Sequence, residues 1–520
     1  MSTVSEENKA AAAAIKAKAN EAFKNKDFIA AAKLYGEALE KNDQDATIWC
    51  NRAFARMNLE EFGYALDDCT KAIERDPRYV KAYYRRALCY LSILKNPQAI
   101  ADFKKTLALD PQNAVAKKQL EATQKLQRRI EFEKAIEQDE EETAVERVME
   151  AIRSGLDIES SYAGPRLPPA SEEAAAKGKK YGINEEFITK MEEWFKAGKT
   201  LAKRVVYEIV LGCWDACLQE ESLNEIVLEE GMTCDVIGDT HGQYYDLLHL
   251  LSLTGKPSKT HCLLFNGDFV DRGSWSVEVA LTVMAWKWLF PNTVLLNRGN
   301  HETNDMNKVY GFEGEVKHKH GELAYKLFAH VFTALPLATL VSPALPPSPK
   351  ALAGAVGKGQ APILSKEGRM RYFVTHGGLF SKDNITLDDI RAIPRIGKQP
   401  GNEGLMCELL WTDPQETPGR GPSKRGVGIG FGPDVTKNWC KLNGITGVLR
   451  SHEVRQGGYA IEHDGLCTTV FSAPNYVDQT GNKGAFVRID AHGTREYTTY
   501  EAVPHPPMRP MAYAGAMGMF

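Results

Sequence analysis

The chain lacks any run near the ~18 apolar residues that a membrane-spanning helix needs. Its opening residues, 1–16, also lack the continuous apolar core of a secretory signal, so a cytoplasmic protein is expected; whether the nucleus is also visited is open in the sequence. An excess of charge of one sign is missing too. Over 520 residues, 64 basic side chains face 68 acidic ones. That balance gives no general attraction to nucleic acid or to anionic membrane, and any cationic site must be local. The ten cysteines show no spacing that suggests disulfides or a zinc knuckle. Cys213 and Cys217 lie one helical turn apart, which fits core packing in a reducing compartment. What is present is a globular balance, 43% hydrophobic and 25% charged, in a chain too long for one ordinary core. Two or more domains, in a monomer, are expected.

A period of 34 residues organises the N-terminal part. Laying 12–45, 46–79 and 80–113 under one another aligns Ala19, Ala53 and Ala87, then Ala31, Ala65 and Ala99, then Leu39, Ile73 and Leu107, with Pro77 above Pro111. Small residues at fixed places let the two helices of a hairpin approach closely, and each Asp-Pro pair ends a helix. The pattern resembles three tetratricopeptide repeats, capped by a solvated helix over 114–138 carrying Leu120, Leu126 and Ile130. An acidic run at 139–142 and a Pro- and Ala-rich stretch then read as a linker, 139–182.

From residue 183 short apolar strands alternate with helical stretches such as 276–289, which argues for an α/β domain. Strands are expected at 233–237, 262–265, 294–296, 372–375, 447–449 and 468–471. The segment 342–371, rich in Pro, Ala, Gly and Lys, reads as a mobile surface insertion between two strands.

The residues that follow the strands carry the chemistry. Asp239 and His241 come from Gly-Asp-Thr-His-Gly; Asp268, Asp271 and Arg272 from Asn-Gly-Asp-Phe-Val-Asp-Arg-Gly; Asn300 and His301 from Arg-Gly-Asn-His-Glu. His376 follows in Thr-His-Gly-Gly-Leu and His452 in Arg-Ser-His-Glu. Loops at the carboxyl ends of a sheet converge, so these groups can share one cleft. A lone Asp or His after a strand is usually a turn residue or a cap, but here that explanation would have to hold independently at five loops. Imidazoles, carboxylates and an amide without thiolate suit divalent Mn, Fe, Zn or Mg. The ligands exceed what one catalytic metal needs, and two metals sharing a carboxylate are the natural arrangement.

These motifs, with Ser-Ala-Pro-Asn-Tyr at 472–476, resemble the signature of the phosphoprotein phosphatase superfamily of metal-dependent serine/threonine phosphatases, in its branch that carries tetratricopeptide repeats. The resemblance implies a catalytic domain over 183–505, a central β-sandwich flanked by helices, followed by a tail, 506–520. It implies one metal on Asp239, His241 and Asp268, and a second on Asp268, Asn300, His376 and His452. Arg272 and Arg425 would grip phosphate oxygens, guanidinium offering the bidentate fork that phosphate accepts. His301 would protonate the leaving oxygen, Asp271 would orient that imidazole, and Tyr476 would cover the pocket. Two positions depart from the pattern: Asn297 replaces a customary apolar residue, and Val477 replaces a customary Cys.

In the repeats, Lys16 and Asn20 share one helical face, as do Lys81 and Arg85, and Asn51 falls between them. Three cations and two amides directed into one groove match an acidic peptide ending in a free carboxylate. The resemblance identifies these five with the clamp for the Glu-Glu-Val-Asp tail of heat shock protein 90. It also implies autoinhibition by the repeat domain, with Glu60 in the loop facing the cleft and the Met- and Ala-rich tail bracing it. The expected function is thus a chaperone-directed phosphoprotein phosphatase. The contrasting expectations are a catalytically weak chaperone-bound adaptor and a hydrolase of small phosphoesters.

Overall fold

A computed structural model describes residues 4–137, 142–355, 357 and 361–514, with the side chains of all these but 133–137. The chain divides into two units. One runs to the helix Ala114–Glu137 and takes in Pro422–Ile429; the other holds the rest.

In the first unit the 34-residue period becomes three helical hairpins: Glu6–Lys24 with Phe28–Lys41, Ala46–Asn58 with Phe62–Arg75, and Val80–Ser92 with Asn96–Leu109. The six aligned alanines are fully buried, so backbones meet where a larger side chain would hold them apart. Each hairpin turns through a left-handed residue at the same step of the period, Lys26, Glu60 and Leu94, with φ of 61°, 60° and 60°. The second helices of the last two hairpins stop at Arg75 and Leu109, just before Asp76-Pro77 and Asp110-Pro111, because a residue preceding proline is driven out of the helical region. An ion pair repeats with the period as well. Arg52 binds Asp68 at 2.7 Å and Arg86 binds Asp102 at 2.7 Å, each tying the first helix of a hairpin to the second.

The second unit is built on two sheets packed face to face. In chain order its first six strands are β1 (Leu223–Leu228), β2 (Thr233–Ile237), β3 (His261–Phe265), β4 (Val294–Leu296), β5 (Ala338–Pro343) and β6 (Tyr372–Thr375). The sheet holding β2, β3 and β4 in parallel continues through Gly484–Asp490 to Arg495–Tyr500. The other runs from β1 through β5, β6, Gly447–Arg450 and Cys467–Val470 to Tyr459–Glu462. Alternation with period two sends Cys234, Val236, Cys262 and Leu264 into the layer between the sheets, where they meet Tyr372, Val374 and Leu449. The opposite side chains, Ile237, Leu263 and Phe265, pack under helices such as Ser276–Leu289. Both faces of these strands are covered, which is why they read as continuous apolar runs.

Two segments differ from their sequence reading. In the stretch read as a linker, Thr143 and Glu146 form a capping box that starts the helix Ala144–Arg153, and Val148 is buried in the core of the second unit. Farther on, Leu167 is buried there and Arg204 donates to the carbonyl of Leu156 at 2.5 Å. Residues 139–141 lie outside the described residues. The segment read as a mobile insertion forms the helix Pro349–Ala355, whose Ala351 and Ala355 are buried against the sheet layer, while Arg495 donates to the carbonyl of Gly354 at 2.7 Å. Alanines pack here without the large apolar residues whose scarcity suggested mobility; residues 356 and 358–360 lie outside the description. No helix among the described residues is long and apolar enough to cross a membrane.

Candidate metal centre and active site

Five chain segments end their strands and turn inward at one place: the loops after β2, β3, β4, β6 and Gly447–Arg450. Glycine permits the closeness. A Cβ on Gly299 would lie 2.2 Å from Asp268 Oδ1, and Gly267, at φ 84°, would meet the Gly299 backbone at 2.4 Å. The backbone is strained at the functional residues themselves. His241, Asp268, Asp271, Arg272 and His452 have φ of 42°, 51°, 67°, 65° and 71°, a region costly to side chains other than glycine and held by the structure around them.

His241 donates from Nδ1 to the carbonyl of Val270 at 3.0 Å, which turns Nε2 toward Asp239 Oδ2 at 3.7 Å and Asp268 Oδ2 at 3.6 Å. His376 is held the same way, Nδ1 giving its proton to the carbonyl of Asn266 at 2.9 Å. Its Nε2 then faces Asn300 Oδ1 at 2.9 Å, His452 Nδ1 at 3.1 Å and Asp268 Oδ2 at 3.2 Å. Burial lowers the pKa of both imidazoles, first of all by removing water, and so favours their neutral, ligating form. A neutral His376 committed at Nδ1 has only a lone pair at Nε2, and Asn300 Oδ1 and Asp268 Oδ2 opposite it are acceptors as well. Lone pairs gathered this closely, beside carboxylates buried to about one per cent exposure, fit a divalent cation set among oxygen and nitrogen donors. Burial also pushes Asp239 up to about 7, helped by Asp268 and opposed by His376, the response of a carboxylate set where charge is costly without a counter-cation. Among the described residues, imidazole and carboxylate atoms close enough to share one ion include His241, Asp268 and His301, and Asp268, His376 and His452, with Asp268 common to both.

His301 stands at the edge of this cluster. Its ring is 4.8 Å from that of His241, and its Nδ1 is 2.9 Å from Asp271 Oδ2. Asp271 also accepts from Asn307 Nδ2 at 3.0 Å and from the Phe312 backbone at 2.8 Å. Burial pushes its carboxyl up to about 7 against those bonds and the charge of Arg272. The Arg272 guanidinium lies 3.9 Å over the Tyr310 ring, and Tyr476 is buried with its ring 5.2 Å from that of His241. The tail engages this same loop: Met511 donates to the carbonyl of Arg272 at 2.8 Å and Ser274 Oγ to that of Arg509 at 2.8 Å. The last six residues, 515–520, lie outside the described residues.

The structure therefore brings together Asp239, His241, Asp268, Asp271, Arg272, Asn300, His301, His376, His452 and Tyr476. Arg425 lies in the segment Pro422–Ile429, which is grouped with the first unit. Sequence reasoning missed Glu302, which accepts from the backbone N–H groups of Asp268, Gly299 and Phe269 at 2.8, 2.8 and 3.0 Å and pins two loops together. Its signal was adjacency, being the residue after His301. It also missed Arg450, buried and bonded to the carbonyl of Gly377 at 2.6 Å and to Asp413 at 2.8 Å, which fixes the loops of His376 and His452 to each other.

In the repeat unit, Lys16, Asn20, Asn51, Lys81 and Arg85 all sit on first helices of hairpins. Tyr35 donates to Asn20 Oδ1 at 2.6 Å, and Arg85 Nη1 lies 3.5 Å from Asn51 Oδ1. Lys16 binds Asp45 at 3.1 Å, and Lys81 is exposed.

The comparisons agree with this geometry. The family model for calcineurin-like phosphoesterases matches residues 232–456, so the metal-binding loops belong to a metal-dependent phosphoesterase. A tetratricopeptide repeat matches 80–113, and the model described as the PPP5 TPR repeat region matches 120–225. Serine/threonine-protein phosphatase T of Aspergillus oryzae is 47% identical over 506 residues, which cover 97% of each chain. Human serine/threonine-protein phosphatase 5 is 41% identical over 504 residues, covering 97% of this chain and 93% of the human one. A solved protein serine/threonine phosphatase from Saccharomyces cerevisiae, described as similar to human phosphatase PP5, superposes with a TM-score of 0.56 at 42% identity and covers 64% of this chain and all of its own. The chain belongs to the serine/threonine-protein phosphatase 5/T family, and it is a metal-dependent protein phosphatase.

Proposed function

We propose that the chain removes phosphate from phosphoserine and phosphothreonine at a centre of two divalent cations of the manganese, iron, zinc or magnesium kind. Asp239, His241 and Asp268 would hold one; Asp268, Asn300, His376 and His452 would hold the other. The observation that carries this reading is His376, whose Nε2 faces a carboxylate, an amide oxygen and a second imidazole within 3.2 Å while its Nδ1 is committed elsewhere. When bound, such a pair neutralises phosphate charge and acidifies a water for in-line attack.

The chain's own residues supply the rest. Arg272, braced on Tyr310, offers a fork of N–H donors to phosphate oxygens. His301, its Nδ1 held by Asp271, presents Nε2 as the proton donor for the departing serine or threonine oxygen. Tyr476 closes the side of the pocket beside His241. The phosphate contact read for Arg425 rests on its motif alone. In the metal-stripped chain, phosphopeptide hydrolysis should vanish and return only when two equivalents of manganese(II) are restored. Full recovery with one equivalent overturns the paired centre.

The reading extends to regulation. Lys16, Asn20, Asn51, Lys81 and Arg85 would clamp the acidic C-terminal tail of heat shock protein 90, recruiting the enzyme to chaperone-bound phosphoproteins. Its repeat domain would hold activity down until the tail engages. Their placement on first helices supports the clamp, as does the junction of Asn51 with Arg85. A synthetic acidic tail peptide should raise the full chain's rate severalfold, and Lys81→Ala should remove that response. A response unchanged in Lys81→Ala overturns the clamp.

A further inference from the structure

Between the two sheets, beneath the metal-binding loops, two asparagine side chains are wholly buried: Asn266, the first residue after β3, and Asn297, the first after β4. A buried amide is costly unless all its polar atoms are paired, and these are. Asn297 Nδ2 donates to Asn266 Oδ1 at 2.8 Å and to the carbonyl of Val374 at 3.2 Å, and its Oδ1 accepts from Thr339 Oγ1 at 2.7 Å. Asn266 Nδ2 donates to the carbonyl of Thr375 at 2.8 Å and to Ser451 Oγ at 2.9 Å. The backbone carbonyl of Asn266 is also the one that fixes the His376 imidazole.

The partners matter because of where they stand in the chain. Asn266 is two residues before Asp268, Asn297 three before Asn300, Thr375 one before His376 and Ser451 one before His452. The two amides thus join the bases of all four loops assigned to the second cation, two loops from each sheet. Neither amide bonds to the loop carrying Asp239 and His241 through its side chain. An apolar residue at position 297 would leave Asn266 Oδ1 and the Thr339 hydroxyl to find other partners in a buried, largely apolar layer.

We infer that Asn266 and Asn297 are positioning residues that set the spacing of the second cation's ligands across the two sheets, and that Asn297 gives this chain tighter hold of that cation. The inference rests on the two-cation reading. The test is calorimetric titration of manganese(II) into the metal-stripped full-length chain, with no turnover involved. His376→Ala should delete one binding step and so assign it; should both steps survive, the two-cation reading falls and this inference with it. With the step assigned, Asn297→Leu should weaken it about tenfold while the other step stays within about twofold, the size usual when a group supporting a ligand is lost. Thr339→Val removes one hydrogen bond with little change of shape, and should weaken the same step by about threefold; it decides the matter if Asn297→Leu does not fold. Unchanged affinity in both variants, or equal weakening of both steps, overturns the inference, the second result marking general loosening rather than positioning.

Discussion

The repeat unit and the catalytic unit carry their functional groups in opposite ways. In the repeats the scaffold is alanine packed on alanine, and the candidate clamp residues stand on it half-buried or exposed, in ordinary helical backbone. In the catalytic unit the functional groups are the interior. Asp239, Asp268, Asn300 and His376 are at most one per cent exposed, and several of their neighbours hold left-handed backbone. A graft on a surface can be altered without cost to what lies beneath, whereas a buried and strained site shares its bonds with the fold.

The largest effect expected from this contrast is at His301. His301→Ala should lower kcat on a phosphopeptide by about 10²–10⁴-fold, the range for loss of a general acid. Manganese stoichiometry should hold, because Asp268 and the other ligands remain. A fall of less than tenfold would show that another group delivers the proton.

On the repeat side, Arg85→Ala removes a guanidinium that donates to the carbonyl of Cys50 at 2.7 Å and lies 4.3 Å over the Phe54 ring. Loss of a charge-assisted hydrogen bond is worth about 1.5–3 kcal/mol, so the Kd for the acidic tail peptide should rise by at least about tenfold in fluorescence anisotropy. An unaltered Kd would break the clamp reading. The scaffold beneath should respond in another currency. Ala65→Leu inserts three carbons where two helices meet at full burial, and overpacking of that kind costs about 1–3 kcal/mol. The urea transition of the repeats should shift accordingly, and no shift would mean that the alanine register does not set the helix spacing.

The same contrast explains what could be read from the sequence. β2, β4 and β6 begin and end where the apolar runs and the following glycine, asparagine or histidine place them. The strand Ala338–Pro343 escaped notice because its Leu and Val side chains merge with the preceding helix-like pattern, and Gly484–Asp490 because Arg488 interrupts it; that arginine pairs with the buried Asp235 at 2.6 Å. The ligands were legible because motifs concentrate them. Glu302, Asn266 and Arg450 act through backbone groups distant in sequence, and such bonds leave no local pattern. The helix Ala144–Arg153 was hidden by the charge of its exposed face, although its Thr143–Glu146 box announces a helix start.

The smallest effect tests whether burial in the catalytic unit makes itself felt away from the metal centre. His320 ends the helix Phe312–His320, and burial first, then the charges of Lys319 and Lys203, lower its pKa to about 4. The unfolded chain would protonate the same imidazole near ~6.5. Above that pH the ring is neutral in both states and contributes no pH dependence. As pH falls from ~6.5 toward 4 the unfolded state binds a proton that the folded state refuses, so stability falls with falling pH in that window. His320→Gln removes this one linkage and leaves the others. Between pH 7 and 5 the parent chain should lose about 1–2 kcal/mol more than the variant in urea denaturation. Equal losses would mean that the ring takes up its proton without leaving the fold, and that the interior at this helix end is wetter than its packing shows.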